Sequence, residues 1–197
     1  MEKMKPIYIR TINIQTPFKK VFPKMDNFLF SGCDWTDRAK VCASYITPKT
    51  SVLDLGSGEQ PLKRFIDIKK GHYQPVDKFP VTEDTIVCNF NKGDFPQFTK
   101  KFGYVTCLGL IEYIPNKKWL FDQLHQYSDR LVVTFMKTKK QVNTWVEDLK
   151  HWEVEKMLDE SGWEIRRTSH VSCERIYLCV SSKNLKNNSI KDEEQNN

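Results

Sequence analysis

Residues 51–58, Ser-Val-Leu-Asp-Leu-Gly-Ser-Gly, decide how this chain is expected to fold. A short apolar run stops at two glycines, which is typical of a buried strand followed by a tight turn. The next segment, Pro-Leu-Lys-Arg-Phe-Ile-Asp-Ile at 61–68, predicts a helix that begins at its proline, because the first helical position needs no amide donor. Strand, glycine turn and helix in this order indicate an α/β protein.

The rest of the chain continues this alternation. Apolar runs predict strands within 72–77, 85–90, 104–114 and 130–136. Helical patterns cover 36–46, 116–128 and 145–162. Residues 163–182 predict two strands around a tight turn at Cys173 and Glu174, and so short a connection requires an antiparallel pair. We therefore predict a doubly wound, seven-stranded sheet that is mostly parallel, with an antiparallel C-terminal pair.

Charge is distributed unevenly along the 197 residues, whose net charge is +6. The first 24 residues contain six basic side chains and one acidic side chain. Such an arm either contacts nucleic acid or another anionic surface, or is a solvated, extended N-terminus. We predict a basic arm at 1–35, a folded domain at 36–183 and a disordered polar tail at 184–197.

Several classes of protein do not fit this composition. No apolar run approaches the ~18 residues that span a bilayer, and the first residues lack the apolar core of a secretory signal. Six cysteines are present without any C-x-x-C pair, and four of them lie in apolar runs. These features predict reduced thiols and a cytoplasmic protein. No cluster has the spacing of metal ligands, so no metal is expected.

The glycine turn also restricts the ligand. In sheets of this kind, ligands bind beyond the carboxyl ends of the strands, where the strand order reverses. Pro61 takes the place of the third glycine of the dinucleotide fingerprint, and the sequence contains no phosphate-binding G-x-x-x-x-G-K-[ST] loop. Asp54, two residues before Gly56, would repel a pyrophosphate and attract an ammonium or sulfonium group. These features predict a site for a positively charged nucleoside.

Two further strand ends carry polar side chains suited to a nucleoside. Asp77 follows Gly58 by 19 residues, and an acid at that distance can accept hydrogen bonds from both ribose hydroxyls. Asn89 can offer both a donor and an acceptor to an adenine edge, and Phe90 can stack on the ring. The alternatives are an exposed strand-end acid at Asp77 and ordinary turn chemistry at Asn89.

Four stretches together resemble the successive motifs of class I S-adenosylmethionine-dependent methyltransferases. They are VLDLGSGEQPL at 52–62, PVD at 75–77, VCNFN at 87–91 and VTCLGLIEYI at 105–114. The resemblance covers roughly residues 36–182 and implies a Rossmann-like fold, S-adenosylmethionine as cofactor and methyl transfer (EC 2.1.1 type) as activity. The Y-x-P-V-D and L-E-Y-I stretches look most like bacterial enzymes associated with glycan modification, which implies a small-molecule or glycan acceptor.

The resemblance also implies roles for individual residues. Cofactor-binding candidates are Asp54, Gly56, Ser57, Gly58, Asp77, Asn89, Phe90, Leu108 and Gly109. Asn89 stands where the family usually has an aspartate facing adenine. Glu112 and Tyr113 are the catalytic candidates at the mouth where the acceptor would sit, with Glu112 as a possible base. Alternatively, Glu112 caps the next helix or pairs with a lysine.

Two other functions remain open. The basic arm would suit an RNA methyltransferase, although the sequence lacks an N-P-P-Y or D-P-P-Y tetrad after the fourth strand. Asn89, in place of the family's usual aspartate, would suit a protein with the methyltransferase fold that only binds ligands.

The acceptor pocket is expected to involve residues 1–35 and an insert at 137–150. Trp35, Trp145 and Trp152 either line that pocket or pack in the core.

Overall fold

The computed structural model describes residues 35–68, 72–136 and 149–183. All of the predicted arm except Trp35, the predicted tail and most of the insert lie outside the described residues. The proposed domain limits therefore stay predictions.

The described residues form one seven-stranded sheet. Its strands are β1 (Val52–Leu55), β2 (Tyr73–Asp77), β3 (Ile86–Val87), β4 (Tyr104–Cys107), β5 (Arg130–Met136), β6 (Trp163–Val171) and β7 (Glu174–Ser181). They lie in the order β3-β2-β1-β4-β5-β7-β6. The first five strands pair in parallel, whereas β7 is antiparallel to both β5 and β6. The predicted fold class is confirmed, and the strand order reverses between β1 and β4.

Helices cover both faces of the sheet, as the buried strands require. Leu53 and Leu55 of β1 point into one core layer, which includes side chains of α2 (Lys117–Leu124) and α3 (His151–Glu160). Val52 points into the opposite layer, together with Cys42 of α1 (Trp35–Ala43). All four residues of β1 are buried, so this strand is enclosed from both sides.

The prediction of a helix at 61–68 is wrong. The segment forms only a short 3-10 turn, Leu62–Arg64. Leu62 is fully buried and Ile66 and Ile68 pack against the same core layer, but Phe65 is 37% exposed, so the buried side chains do not follow the spacing of a helical stripe. The preceding Gln60 has a φ of +57°, and its buried side-chain amide donates to the Asp84 carboxylate. These contacts join the glycine turn to the loop between β2 and β3.

Other elements exist where predicted but with different limits. Strand β3 has only two residues, because the Asn89 side chain accepts the amide of Asn91 at 3.1 Å and starts a 3-10 turn, Phe90–Lys92. The apolar run at 104–114 contains β4 and a second 3-10 turn, Ile111–Tyr113. Helix α1 ends earlier than predicted, and α3 is preceded by a non-helical Leu149 and Lys150.

The antiparallel hairpin is confirmed. Strands β6 and β7 are joined at Ser172 and Cys173, and Ser172 has a φ of +52°.

The described ranges contain five free thiols, which are Cys42, Cys88, Cys107, Cys173 and Cys179. In the same ranges, no helix is long and apolar enough to cross a membrane, and no group of His, Cys, Asp and Glu could hold a metal ion.

Trp163 provides a test of the core on the α2 and α3 face. Its side chain is 1% exposed, stacks on His125 at 4.1 Å and donates its indole N–H to the Phe121 carbonyl at 2.9 Å. We expect Trp163→Phe to lower the free energy of unfolding by about 2–3 kcal/mol, because it leaves a void and a buried carbonyl without its donor.

The matched control is Trp152→Phe. Trp152 is 57% exposed on α3, so the same substitution there should change stability by no more than about 0.5 kcal/mol. Urea denaturation followed by circular dichroism measures both variants. Equal effects would contradict the assigned packing of Trp163.

Candidate functional site

The glycine turn lies where the strand order reverses, at the carboxyl end of β1. The amides of Gly56 and Ser57 both donate to the Val76 carbonyl, at 2.8 and 3.1 Å. These bonds attach the turn to β2. Gly56 has a φ of +71° and Gly58 a φ of +48°, which L residues with a side chain adopt only with strain.

The two glycines of the turn serve different purposes. A Cβ atom built at Gly56 would lie 3.0 Å from Cδ1 of Leu110, so this glycine allows Leu110 to pack against the backbone. A Cβ atom at Gly58 would meet no atom within 4 Å. The space next to Gly58 is therefore open, and a ligand can approach the backbone there.

Asp77 connects the turn to the end of β2. Its Oδ2 atom accepts the amide of Gly58 at 3.0 Å, and its Oδ1 atom accepts the amide of Phe79 at 3.1 Å. An ionised carboxylate has about four acceptor positions, so each oxygen can accept one more hydrogen bond. The half-buried Asp77 is thus held in place and can still bind hydroxyl groups.

Asp54 lies inside the sheet rather than at the surface of the turn. It is 2% exposed, and its carboxylate accepts hydrogen bonds from the Thr106 hydroxyl at 2.6 Å and from the Tyr73 hydroxyl. Burial raises the pKa of Asp54 to about 6, although both hydroxyl donors and Arg38 oppose the rise. Asp54 therefore lies beneath the turn, enclosed by the two neighbouring strands that carry these hydroxyl groups.

The remaining cofactor-side candidates are mainly buried. Phe90 is 5% exposed and its ring centre lies 5.4 Å from that of Phe95, while Leu108 packs in the core layer of α1. The structure thus places Phe90 in the core, where the sequence analysis expected a stacking ring. The Ser57 hydroxyl is also buried, and it has no hydrogen-bond partner in the described chain.

Glu112 makes a contact that the sequence analysis did not anticipate. Asn116 rather than Glu112 caps α2, and Glu112 pairs with no lysine among the residues that the structure describes. Its Oε1 atom accepts the amide of Met136 at 2.7 Å, and its Oε2 atom is buried without a hydrogen-bond partner among the described residues. Burial raises the pKa of Glu112 to about 7. The neighbouring Tyr113 is half-buried.

An ion pair that the sequence analysis missed lies beside these residues. The Arg38 guanidinium and the Glu174 carboxylate are both buried and lie 2.9 Å apart. The guanidinium also stacks over the Trp35 ring, with its central carbon 3.7 Å from the ring centre. The two partners are 136 residues apart in sequence, and the only sequence signal is that Arg38 and Cys42 share one face of α1.

The three tryptophans expected near an acceptor pocket have different environments. Trp35 is half-buried against Arg38, and Trp152 is mostly exposed. Trp145 lies outside the described residues.

Comparisons with known proteins agree with this architecture. No protein-family profile and no curated protein matches the sequence. Solved structures do match, and one is a SAM-dependent methyltransferase from Aquifex aeolicus, with a TM-score of 0.59 and 15% identity over 79% of this chain and 94% of that chain. Another is the 1,6-didemethyltoxoflavin-N1-methyltransferase of Burkholderia thailandensis with bound S-adenosylhomocysteine, with a TM-score of 0.62 and 11% identity over 78% and 81%.

The 16S rRNA methylase ArmA also matches, with a TM-score of 0.51 and 15% identity over 75% of this chain and 81% of that chain. Sequence identities this low establish a similarity of fold only. That fold agrees with the strand order and the antiparallel hairpin described above. The described part of this chain has the fold of the class I S-adenosylmethionine-dependent methyltransferases.

Proposed function

We propose that this protein binds S-adenosylmethionine at the carboxyl ends of β1, β2 and β4 and transfers its methyl group to an oxygen or nitrogen atom of a small molecule or glycan. The observation that carries the proposal is the turn at Gly58. Its backbone faces open space and is held by Asp77 at the reversal of strand order.

The donor groups around the turn fit this cofactor. The free acceptor positions of Asp77 suit two ribose hydroxyls, and the buried Ser57 hydroxyl has no hydrogen-bond partner among the described residues. The open space beside Gly58 allows a ligand to contact the backbone. The bound cofactor would supply an electrophilic methyl group, so the protein has to hold and orient the acceptor.

The charge below the turn supports a cationic ligand over a phosphorylated one. Asp54, Glu112 and Glu174 are buried acids in this region, and the buried Arg38 opposes them. Ionised carboxylates among them would attract a sulfonium group and repel a pyrophosphate.

On the adenine side, we propose that Asn89 hydrogen-bonds to the adenine base. Phe90 and Leu108 would support the wall of the adenine pocket from within the core. The Asn89 side chain already accepts the amide of Asn91. Its amide group can still donate to a base edge. Gly109 would lie beneath the cofactor, as the resemblance implies.

On the acceptor side, we propose Glu112 as the group that takes a proton from the acceptor and Tyr113 as a lining residue. A pKa of about 7 suits a general base at neutral pH. The fold match to a 1,6-didemethyltoxoflavin-N1-methyltransferase supports a small-molecule acceptor. The five cysteines within the described residues are free thiols, which supports the predicted cytoplasmic location.

An RNA acceptor is the second candidate, and the basic N-terminal sequence is the observation that favours it. The match to an rRNA methylase is compatible with this function. RNA binding through phosphates would weaken steeply as salt increases. An RNA affinity that is independent of salt would exclude this mode.

Calorimetric titration with S-adenosylmethionine tests the proposal directly. We expect the wild type to bind and Asp77→Asn to bind about 5- to 150-fold more weakly, because one ribose acceptor is lost and the new amide faces the Gly58 N–H. Asp129→Asn is the matched control, since Asp129 is half-exposed and pairs with Lys101 just before the amino end of β5, away from the carboxyl ends of the strands. Absence of wild-type binding would overturn the proposed function.

Gly58→Ala tests whether the open space belongs to the cofactor. The methyl group would meet no protein atom, so the folded state should lose only about 1–2 kcal/mol from the positive φ. We expect the affinity for S-adenosylmethionine to fall at least about tenfold, since the methyl group would fill the space the ligand needs. Thermal unfolding and calorimetry separate the two effects, and a stable variant with wild-type affinity would argue against this binding mode.

Glu112→Gln tests the buried carboxyl group. In the folded protein Glu112 has a pKa of about 7, whereas the unfolded chain loses this proton near pH 4.3. Stability should therefore fall as the pH rises from about 4 to about 7 in the wild type. We expect Glu112→Gln to remove about 1–3 kcal/mol of that decline, because the amide oxygen still accepts the Met136 N–H without a charge.

Urea denaturation at several pH values measures this effect, and Glu59→Gln, at an exposed acid, is the control. A decline of the same size in Glu112→Gln would show that another group causes it. If Glu112 is the base, the variant should also bind cofactor and lose methyl transfer.

A further inference from the structure

Gln60 has an unusual backbone conformation at the end of the glycine turn. Its φ of +57° lies in the left-handed region, which residues with a side chain adopt only with strain. Its amide closes the turn by donating to the Ser57 carbonyl at 2.9 Å, and the residue is only 5% exposed. Backbone strain persists where surrounding contacts maintain it, and it is concentrated at functional sites. The contacts of the Gln60 side chain therefore indicate what the strain is for.

These contacts lie mostly in the loop between β2 and β3, residues 78–85. The side-chain Nε2 atom of Gln60 donates to the Thr82 hydroxyl and, at 3.0 Å, to the Asp84 carboxylate. Its Oε1 atom accepts from the Lys63 ammonium group at 3.0 Å, and Lys63 also pairs with Asp84 at 2.9 Å. Both polar atoms of the Gln60 side chain are thus hydrogen-bonded, and the glycine turn is attached to this loop.

The loop is itself folded around the same carboxylate. The Thr82 hydroxyl donates to Asp84 at 2.6 Å, and the Thr82 amide donates to the Thr85 hydroxyl at 3.1 Å. The Gln74 side chain of β2 donates to the Asp84 carbonyl at 3.1 Å. Gln60 therefore binds to an ordered loop that is fixed to β2.

This attachment completes the support of the proposed cofactor site. The near end of the turn is fixed to β2, because the amides of Gly56 and Ser57 donate to the Val76 carbonyl. The far end is fixed by Gln60. The backbone of Gly58, which faces open space and donates to Asp77 at 3.0 Å, lies between these two attachments.

We propose that Gln60 is a positioning residue of the cofactor site, which attaches the far end of the glycine turn to the loop 78–85 and so holds the Gly58 backbone against Asp77. This inference rests on the function proposed above. Without the attachment, the turn and the loop would have to become ordered when the cofactor binds, and this ordering would reduce the affinity.

Calorimetric titration with S-adenosylmethionine of two variants tests the inference. Gln60→Gly removes the side chain, and glycine adopts a positive φ without strain. Gln60→Asn keeps a side-chain amide that tolerates the left-handed region, but it is one methylene group shorter and should not reach the loop. We expect both variants to bind about 3- to 10-fold more weakly than the wild type, because each loses the attachment.

Hydrogen–deuterium exchange of the loop 78–85 gives a second readout, which a role in global stability alone would not produce. In the wild type, amides of Val81, Thr82 and Thr85 are hydrogen-bonded, so cofactor should add little protection. In Gln60→Gly without ligand, we expect these amides to exchange at least about tenfold faster, and S-adenosylmethionine should restore most of the protection. Peptides from α2 serve as the internal reference.

Further variants make the result specific. Asp84→Ala breaks the same attachment, so the affinity losses of Asp84→Ala and Gln60→Gly should not add in the double variant. Asp122→Ala is the matched control, because Asp122 forms an exposed 2.9 Å ion pair with Lys118 on α2, and it should bind like the wild type. Trp163→Phe weakens the core at the start of β6 and should also keep the wild-type affinity.

Wild-type affinity in both Gln60 variants, or unchanged exchange of the loop in Gln60→Gly, overturns this inference alone. Fully additive losses in the double variant overturn it as well, since the two side chains would then act separately. If Gln60→Gly does not fold, the affinity and the loop exchange of Asp84→Ala decide in the same way. Failure of the wild type to bind S-adenosylmethionine overturns the proposed function, and this inference with it.

Discussion

The enclosure of β1 is the constraint on which the rest of this structure depends. The strand pairs in parallel with β2 on one side and with β4 on the other, and all of its residues are buried. The chain leaves this strand by a tight turn at its carboxyl end, and the turn hydrogen-bonds to the end of β2. The same strand order that buries β1 places the open backbone of Gly58 at the reversal point.

Enclosing β1 also buries the Asp54 carboxylate, which would be costly without partners. Hydroxyl groups of Tyr73 and Thr106, on the two neighbouring strands, supply them. Glu112 has a backbone donor, the Met136 amide, and burial raises its pKa to about 7. The interior at the carboxyl ends of the strands therefore contains acids whose charge depends on the hydrogen-bond partners that each one finds.

Local sequence patterns predicted the strands of this protein better than its helices. Strong apolar runs bounded by turns formed strands as predicted, and the short loop at Cys173 required an antiparallel pair. The predicted helix at 61–68 is wrong, because helix formation depends on a buried stripe and Phe65, which a helix would place on the same face as Leu62, is 37% exposed. Gln60 has a left-handed backbone conformation, and its side chain hydrogen-bonds to Asp84 in another loop. Local propensity predicts neither feature.

The sequence alone predicted the class of the sheet, the antiparallel pair and the position of the glycine turn. It also predicted which polar residues lie at the strand ends. These features depend on local sequence patterns and on short connections. Only the tertiary structure decided that Gly56 faces Leu110 while Gly58 faces open space, that Phe90 lies in the core, and that Arg38 pairs with Glu174. Such facts depend on which side chains meet after folding. Residues 136 positions apart along the chain carry no local sign of that contact.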